Sequence, residues 1–95
     1  MSAETVARIR EILSQQIPVI ALEIEDDSAL HAGHAGARDG GGHYRVYIVS
    51  AAFEGCSRVQ RQRMIYTALG DMMKREIHAL AIRALTATEA TTHAN

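Results

Sequence analysis

Apolar residues recur at helical spacing at the start of the chain and then switch to strict alternation. Residues 3–16 set Val6, Ile9 and Leu13 three and four apart, with Ile12 beside them, which predicts an amphipathic helix. Ser2 is placed to cap it, Glu4 complements its positive end, and Pro18 stops it. From Val19 to Glu25 the period drops to two. Ile20, Leu22 and Ile24 share one face and Ala21, Glu23 and Glu25 the other, the pattern of a half-buried strand. His43 to Ser50 alternates again, with Tyr44, Val46 and Ile48 opposite His43, Arg45 and Tyr47. Because the intervening loop leads straight from one strand to the next, an antiparallel hairpin with a long tip is the economical reading.

The segment AAFEG reads as a tight turn, and Ser57 as the cap of a second helix running to about Lys74. Its buried face is expected to include Ile65, Leu69, Met72 and Met73, with Lys74 and Arg75 suiting the negative end. Gly70 falls inside that helix, where it costs about 1 kcal/mol relative to alanine and implies close packing against a neighbour. A third strand, Ile77 to Leu85, follows, with Leu80, Ile82 and His78 of one parity. The tail from Thr86 has little to bury and is expected to fray, leaving an ordered core of about residues 3–86 and a flexible segment over 87–95. The order α-β-β-α-β predicts a single α+β domain. Its three-stranded mixed sheet carries both helices on one face, with a right-handed helical crossover into the third strand.

At 95 residues the chain suffices for one core, burying roughly 60–65% of its unfolded surface. A formal charge of −1 sets up no global field that would announce a nucleic-acid or membrane partner, so any basic surface must be local. The single cysteine, Cys56, forms no internal disulfide framework and suits a reducing compartment. The N-terminal residues match neither a secretory signal nor a transit peptide, and no apolar run reaches the ~18 residues of a membrane span. A cytoplasmic protein without membrane association is expected.

Candidate chemistry concentrates in Leu30–His43, LHAGHAGARDGGGH, which holds His31, His34 and His43 among five glycines. Neutral imidazole is the commonest protein metal ligand, and a glycine-rich loop between two apolar strands is a place to look for function. The HAGH pair alone is not a closed site, since it leaves other ligands to be found. Its bland reading is two solvated loop histidines. No nucleophile–base pair, phosphate loop or paired carboxylates in a plausible pocket can be drawn from the residues, so an enzyme is not expected. Arg58, Arg61 and Arg63, with Arg45 on the second strand, are the candidates for a local basic patch that holds phosphates or an acidic partner face. Cys56 has no His or second Cys beside it in sequence, and no reactive role is read for it.

The stretch HYRVYIVSAAFEGCSRVQRQRMIYTAL, followed by IHALAIRALTATEA, closely resembles the BolA family, with its phenylalanine-x-glycine turn, arginine-rich helix start and His-Ala-Leu strand. The likeness covers roughly residues 5 to 90. It implies an α-β-β-α-β fold related to the type II KH module and a non-catalytic role. Proteins of this family pair with monothiol glutaredoxins, whose cysteine and glutathione hold part of a 2Fe-2S cluster; the BolA-like partner supplies further ligands. By this resemblance the strand ligand falls on His78 and the loop ligand on His34, with His31 as runner-up. The implied function is an adaptor of iron–sulfur trafficking or iron-status regulation, with no cluster bound tightly by the isolated chain, which would be a monomer or weak homodimer when free. The alternative the family offers is a DNA-binding transcriptional regulator affecting cell morphology and stress response. Two departures stand out: Gln62 replaces a usual histidine between arginines, and Ala90 replaces a tryptophan that usually closes the tail.

Overall fold

In the computed structural model, which describes residues 2–27 and 42–93, the elements follow the predicted order with one addition. Helix α1 spans Ser2–Gln16, strands β1 and β2 span Ala21–Asp26 and Gly42–Val49, helix α2 spans Arg58–Leu69, β3 spans Ile77–Leu85, and a short helix α3 spans Ala87–His93. Short 3-10 turns cover Ala51–Phe53 and Gly70–Lys74. The sheet order is β1-β2-β3, with β1 antiparallel and β3 parallel to β2.

The period-three-and-four stripe of α1 does what it predicts: Ile9 and Leu13 are fully buried, and Ile17 nearly so just past the helix. They meet Ile65 and Leu69 of α2 over Tyr44, Val46 and Ile48 of β2, with Phe53 completing the cluster. Each of these side chains contributes roughly 1.5–3 kcal/mol by leaving water. Both long helices therefore cover one face of the sheet, and Glu23, Arg45 and Tyr47 lie on the other.

Three local expectations are corrected. Ile20, assigned to the inner face of β1, is 59% exposed. The ladder starts one residue later, after the chain has bent beyond Pro18, and Val19 packs on the core instead. Gly70 is not inside a helix. It ends α2 at φ 53°, ψ −121°, and a Cβ there would meet nothing, so its role is backbone conformation rather than close packing. Met72 is buried all the same, from the 3-10 turn that follows. Thr86 to His93 is not a frayed tail: Thr86 is buried and caps α3. The Thr86 Oγ1 accepts from the Glu89 backbone N–H at 3.2 Å, while the Glu89 carboxylate accepts from the Thr86 N–H at 2.8 Å, a reciprocal capping box.

Candidate functional site: an imidazole pair at the end of the sheet

Strict alternation along β3 would turn His78 toward the core with Leu80 and Ile82. A bulge prevents this. Gly42 pairs with Ile77 and His43 with Ala79, so one step on β2 is matched by two on β3, and His78 is the extra residue. Ile77 becomes the buried residue, at 2% exposure, and His78 is exposed. Bulges re-aim side chains in this way and recur beside functional sites. The opposed His43, half-buried on the outward face of β2, brings its ring centroid to 5.2 Å from that of His78, with the rings tilted by 48°. Gly42 fits at this point because its missing side chain leaves room for the Tyr44 ring.

Two imidazoles from adjacent strands thus share one end of the sheet. Each can offer a neutral nitrogen to a d-block metal. Among the described residues no group of three or more His, Cys, Asp or Glu side chains is placed to hold a metal ion. Two imidazoles amount to at most part of a coordination sphere, and a metal held there would need ligands from elsewhere. His34 and His31 lie outside the described residues.

The four arginines read as one basic patch do not form one. Arg45 lies on the outward face of the sheet, where its Nε donates to Asp27 Oδ2 at 2.9 Å. Arg63 lines a hollow with Gln16 and Met64 between α1 and α2, whereas Arg58 lines another, together with Arg61, Cys56, Gln62 and Arg83, beside β3. Five residues along a helix rotate a side chain by about 140°, which is why the two part company. Arg61 is spent internally. Its Nε donates to the Cys56 carbonyl and its Nη1 to the Ala84 carbonyl, both at 3.0 Å, and its fork binds both Glu89 oxygens at 2.6 and 3.2 Å. The guanidinium carbon also lies 5.9 Å from the Phe53 ring centroid. The Arg61 bond holds the Glu89 carboxyl down at about 2, with help from the Thr86 backbone, and Glu89 in turn raises Arg61 above its ordinary range. This clamp, tying α2 to the end of β3 and to α3, was missed by sequence reasoning; the Thr86-x-x-Glu89 spacing was the signal for half of it. Cys56 is a free, half-buried thiol whose Sγ–H donates to the Ala52 carbonyl at 3.6 Å.

Comparison with known proteins decides the family. The model of the family described as BolA-like protein matches residues 13–89. This chain belongs to the BolA family. It is 47% identical over 87 residues to SufE-like protein 1, chloroplastic/mitochondrial, of Arabidopsis thaliana, covering 86% of this chain and 24% of that protein. It is 35% identical over 82 residues to the DNA-binding transcriptional regulator BolA of Escherichia coli, covering 86% and 75%. Among solved structures, the BolA domain of SufE1 from Arabidopsis thaliana superposes with a TM-score of 0.78 at 45% identity, covering 90% of this chain and 94% of that one. The chain spans between about a quarter and about half of the length of the first curated relatives it matches. The α+β fold with its three-stranded mixed sheet is that of BolA domains. The family match is to a BolA-like domain and not to an enzyme family. No helix among the described residues is long and apolar enough to cross a membrane.

Proposed function

We propose that this chain is a non-enzymatic adaptor in iron–sulfur trafficking or iron-status regulation, which binds a monothiol glutaredoxin in the cytoplasm and shares a 2Fe-2S cluster with it. The observation that carries the reading is the bulge that expels His78 from the core face and sets it beside His43 at the sheet's end. An imidazole so placed is accessible to a partner, and the incomplete ligand set of the described residues suits a cluster completed by that partner's thiolates. His78 is the fixed ligand. His34 is the second, with His31 as its alternative. A cluster bound partly through imidazole carries less thiolate charge than an all-cysteine one, which raises its potential.

The test is a titration of cluster-loaded monothiol glutaredoxin with this chain, followed by visible circular dichroism. A new spectrum that saturates with the wild-type chain and is lost with His78→Ala supports the reading. An unchanged spectrum in wild type, or a change indifferent to His78→Ala, removes it. Repeating the titration with His34→Ala and His31→Ala assigns the loop ligand.

DNA binding is the second reading, favoured by the name of the Escherichia coli relative and by two exposed cations that line one hollow beside β3, Arg58 and Arg83. Because phosphate contacts release counterions, affinity for duplex DNA is then expected to fall steeply with salt and to drop in the Arg58→Ala, Arg83→Ala double variant. Binding that is flat with salt counts against it.

A further inference from the structure

His43 and His78 stand on strands, and hydrogen bonds hold the backbone around both. The Asp27 N–H donates to the His43 carbonyl at 2.7 Å and the Gly42 N–H to the Glu76 carbonyl at 2.9 Å, on either side of the bulge that turns His78 outward. The ring centroids lie 5.2 Å apart and the planes are tilted by 48°. That separation has a meaning in coordination chemistry. Zinc binds an imidazole nitrogen at about 2.0–2.1 Å, which puts the ion about 3.2 Å from the ring centre. Two imidazoles at the tetrahedral angle on one zinc ion therefore have centres about 5.2 Å apart. Neighbouring ligands of a square-planar or octahedral ion, at right angles, would bring the centres to about 4.5 Å. The tilt is no obstacle, because a coordinated ring rotates about its own metal–nitrogen bond. Each ring commits one nitrogen, and a hydrogen bond at the other serves to fix the tautomer.

We propose that His43 and His78 together chelate a single divalent zinc ion in the isolated chain, with water completing a tetrahedral sphere. The chain supplies two ligands and no more: among the described residues no third His, Cys, Asp or Glu side chain joins them. Such a site binds its ion more weakly than a closed structural one and leaves two positions to ligands from solution. Its surroundings tolerate the added charge. Arg45, two residues along β2 on the same outward face as His43, is already paired with Asp27 at 2.9 Å.

Because both rings project from paired strands, an ion bound by one imidazole meets the second at high effective concentration, and loss of either ring leaves a single weak ligand. Zinc binding by the pair needs no glutaredoxin and does not rest on the cluster reading. His78 is common to both, so zinc held here and a shared cluster exclude each other.

Titration of the full chain with zinc alone, followed by calorimetry and by NMR of nitrogen-15 histidine, tests the site. In wild type one nitrogen of the His43 ring and one of the His78 ring are expected to shift together and to saturate at the same zinc concentration. His43→Ala and His78→Ala are each expected to weaken this uptake about tenfold or more and to abolish the shift of the remaining ring over the range in which wild type saturates. The same series in a His31→Ala, His34→Ala background separates the pair from the loop imidazoles and is expected to give the same result. Far-UV circular dichroism checks the fold of each variant, and the wild-type ring shifts stand independently of them. A shift confined to one ring, rings that saturate at different zinc concentrations, or uptake unchanged by both substitutions overturns the proposal. Uptake by the pair that vanishes once His31 and His34 are replaced overturns it equally.

Discussion

Replacing Gly70 by alanine separates two accounts of this chain by the sign of the effect. Were Gly70 in the interior of a helix, alanine would stabilise the protein by about 1 kcal/mol. In the structure Gly70 ends α2 at φ 53°, ψ −121°, a region that L-residues occupy only with strain of about 1–3 kcal/mol. Beyond its chain neighbours and the adjoining helical backbone, no atom lies within 4 Å of the added Cβ, so collision with other parts of the fold contributes nothing and the cost is local to the backbone. Alanine also narrows the unfolded ensemble, which offsets about 0.4–1 kcal/mol of the strain. The net expectation is a loss of about 1–2 kcal/mol. For a domain of this size that lowers Tm by roughly 5–15 °C. Urea denaturation with a common m-value, paired with thermal melts, measures it. A variant as stable as wild type or more stable would refute the reasoning and return Gly70 to the helix. Gly70→Asn, which tolerates positive φ better, is expected to fall between the two.

Other predictions follow from the same structure. Ile20 is exposed, so Ile20→Ser is expected to change stability by no more than about 0.5 kcal/mol, whereas Leu13→Ala in the core is expected to cost about 2–5 kcal/mol; equal losses in urea melts would mean that Ile20 is buried after all. Glu89 is held at about 2 against its ordinary 4.5, chiefly by Arg61, so its folded form is the weaker acid-binder. Its contribution is therefore complete above about pH 4.5 and is lost as pH falls toward 2, and Glu89→Gln is expected to flatten the decline of stability over that window. Identical slopes for variant and wild type in pH-dependent urea melts would show that the clamp is not formed. Cutting the chain after Leu85 removes that clamp and α3, and is expected to lower the urea midpoint and to speed hydrogen exchange at the C-terminal end of β3.

Elements with a long, uninterrupted period were legible in the sequence, and the exceptions share a cause. The stripe of α1, the alternation of β2 and the limits of β3 are set by many side chains facing one core, so no single residue can shift them. Ser57 was legible as a cap, and the structure completes its box with Gln60. Single-residue events were not. Periodicity places Ile20 inward and His78 on the core side, but a bend after Pro18 exposes the first and a bulge at Ile77 to Ala79 expels the second. Gly70 reads as a helix interior because apolar residues continue on the same face through a 3-10 turn. The clamp of Arg61 joins residues 28 apart in sequence, a pairing that charge alone cannot choose among ten basic and eleven acidic side chains. His78 was carried to the site by family likeness and its exposure comes from the bulge. His43 was given no ligand role, and only the register places its ring against that of His78.

The central claim is that His78 is a ligand of a cluster shared with a partner. The most direct measurement labels this chain with nitrogen-15 histidine, forms the cluster with unlabelled monothiol glutaredoxin, reduces it, and records pulsed electron paramagnetic resonance. The account predicts strong nitrogen-15 couplings of directly bound imidazole, one of which disappears in His78→Ala. A reduced cluster that shows no such coupling from this chain, or shows the same couplings after His78→Ala, contradicts it.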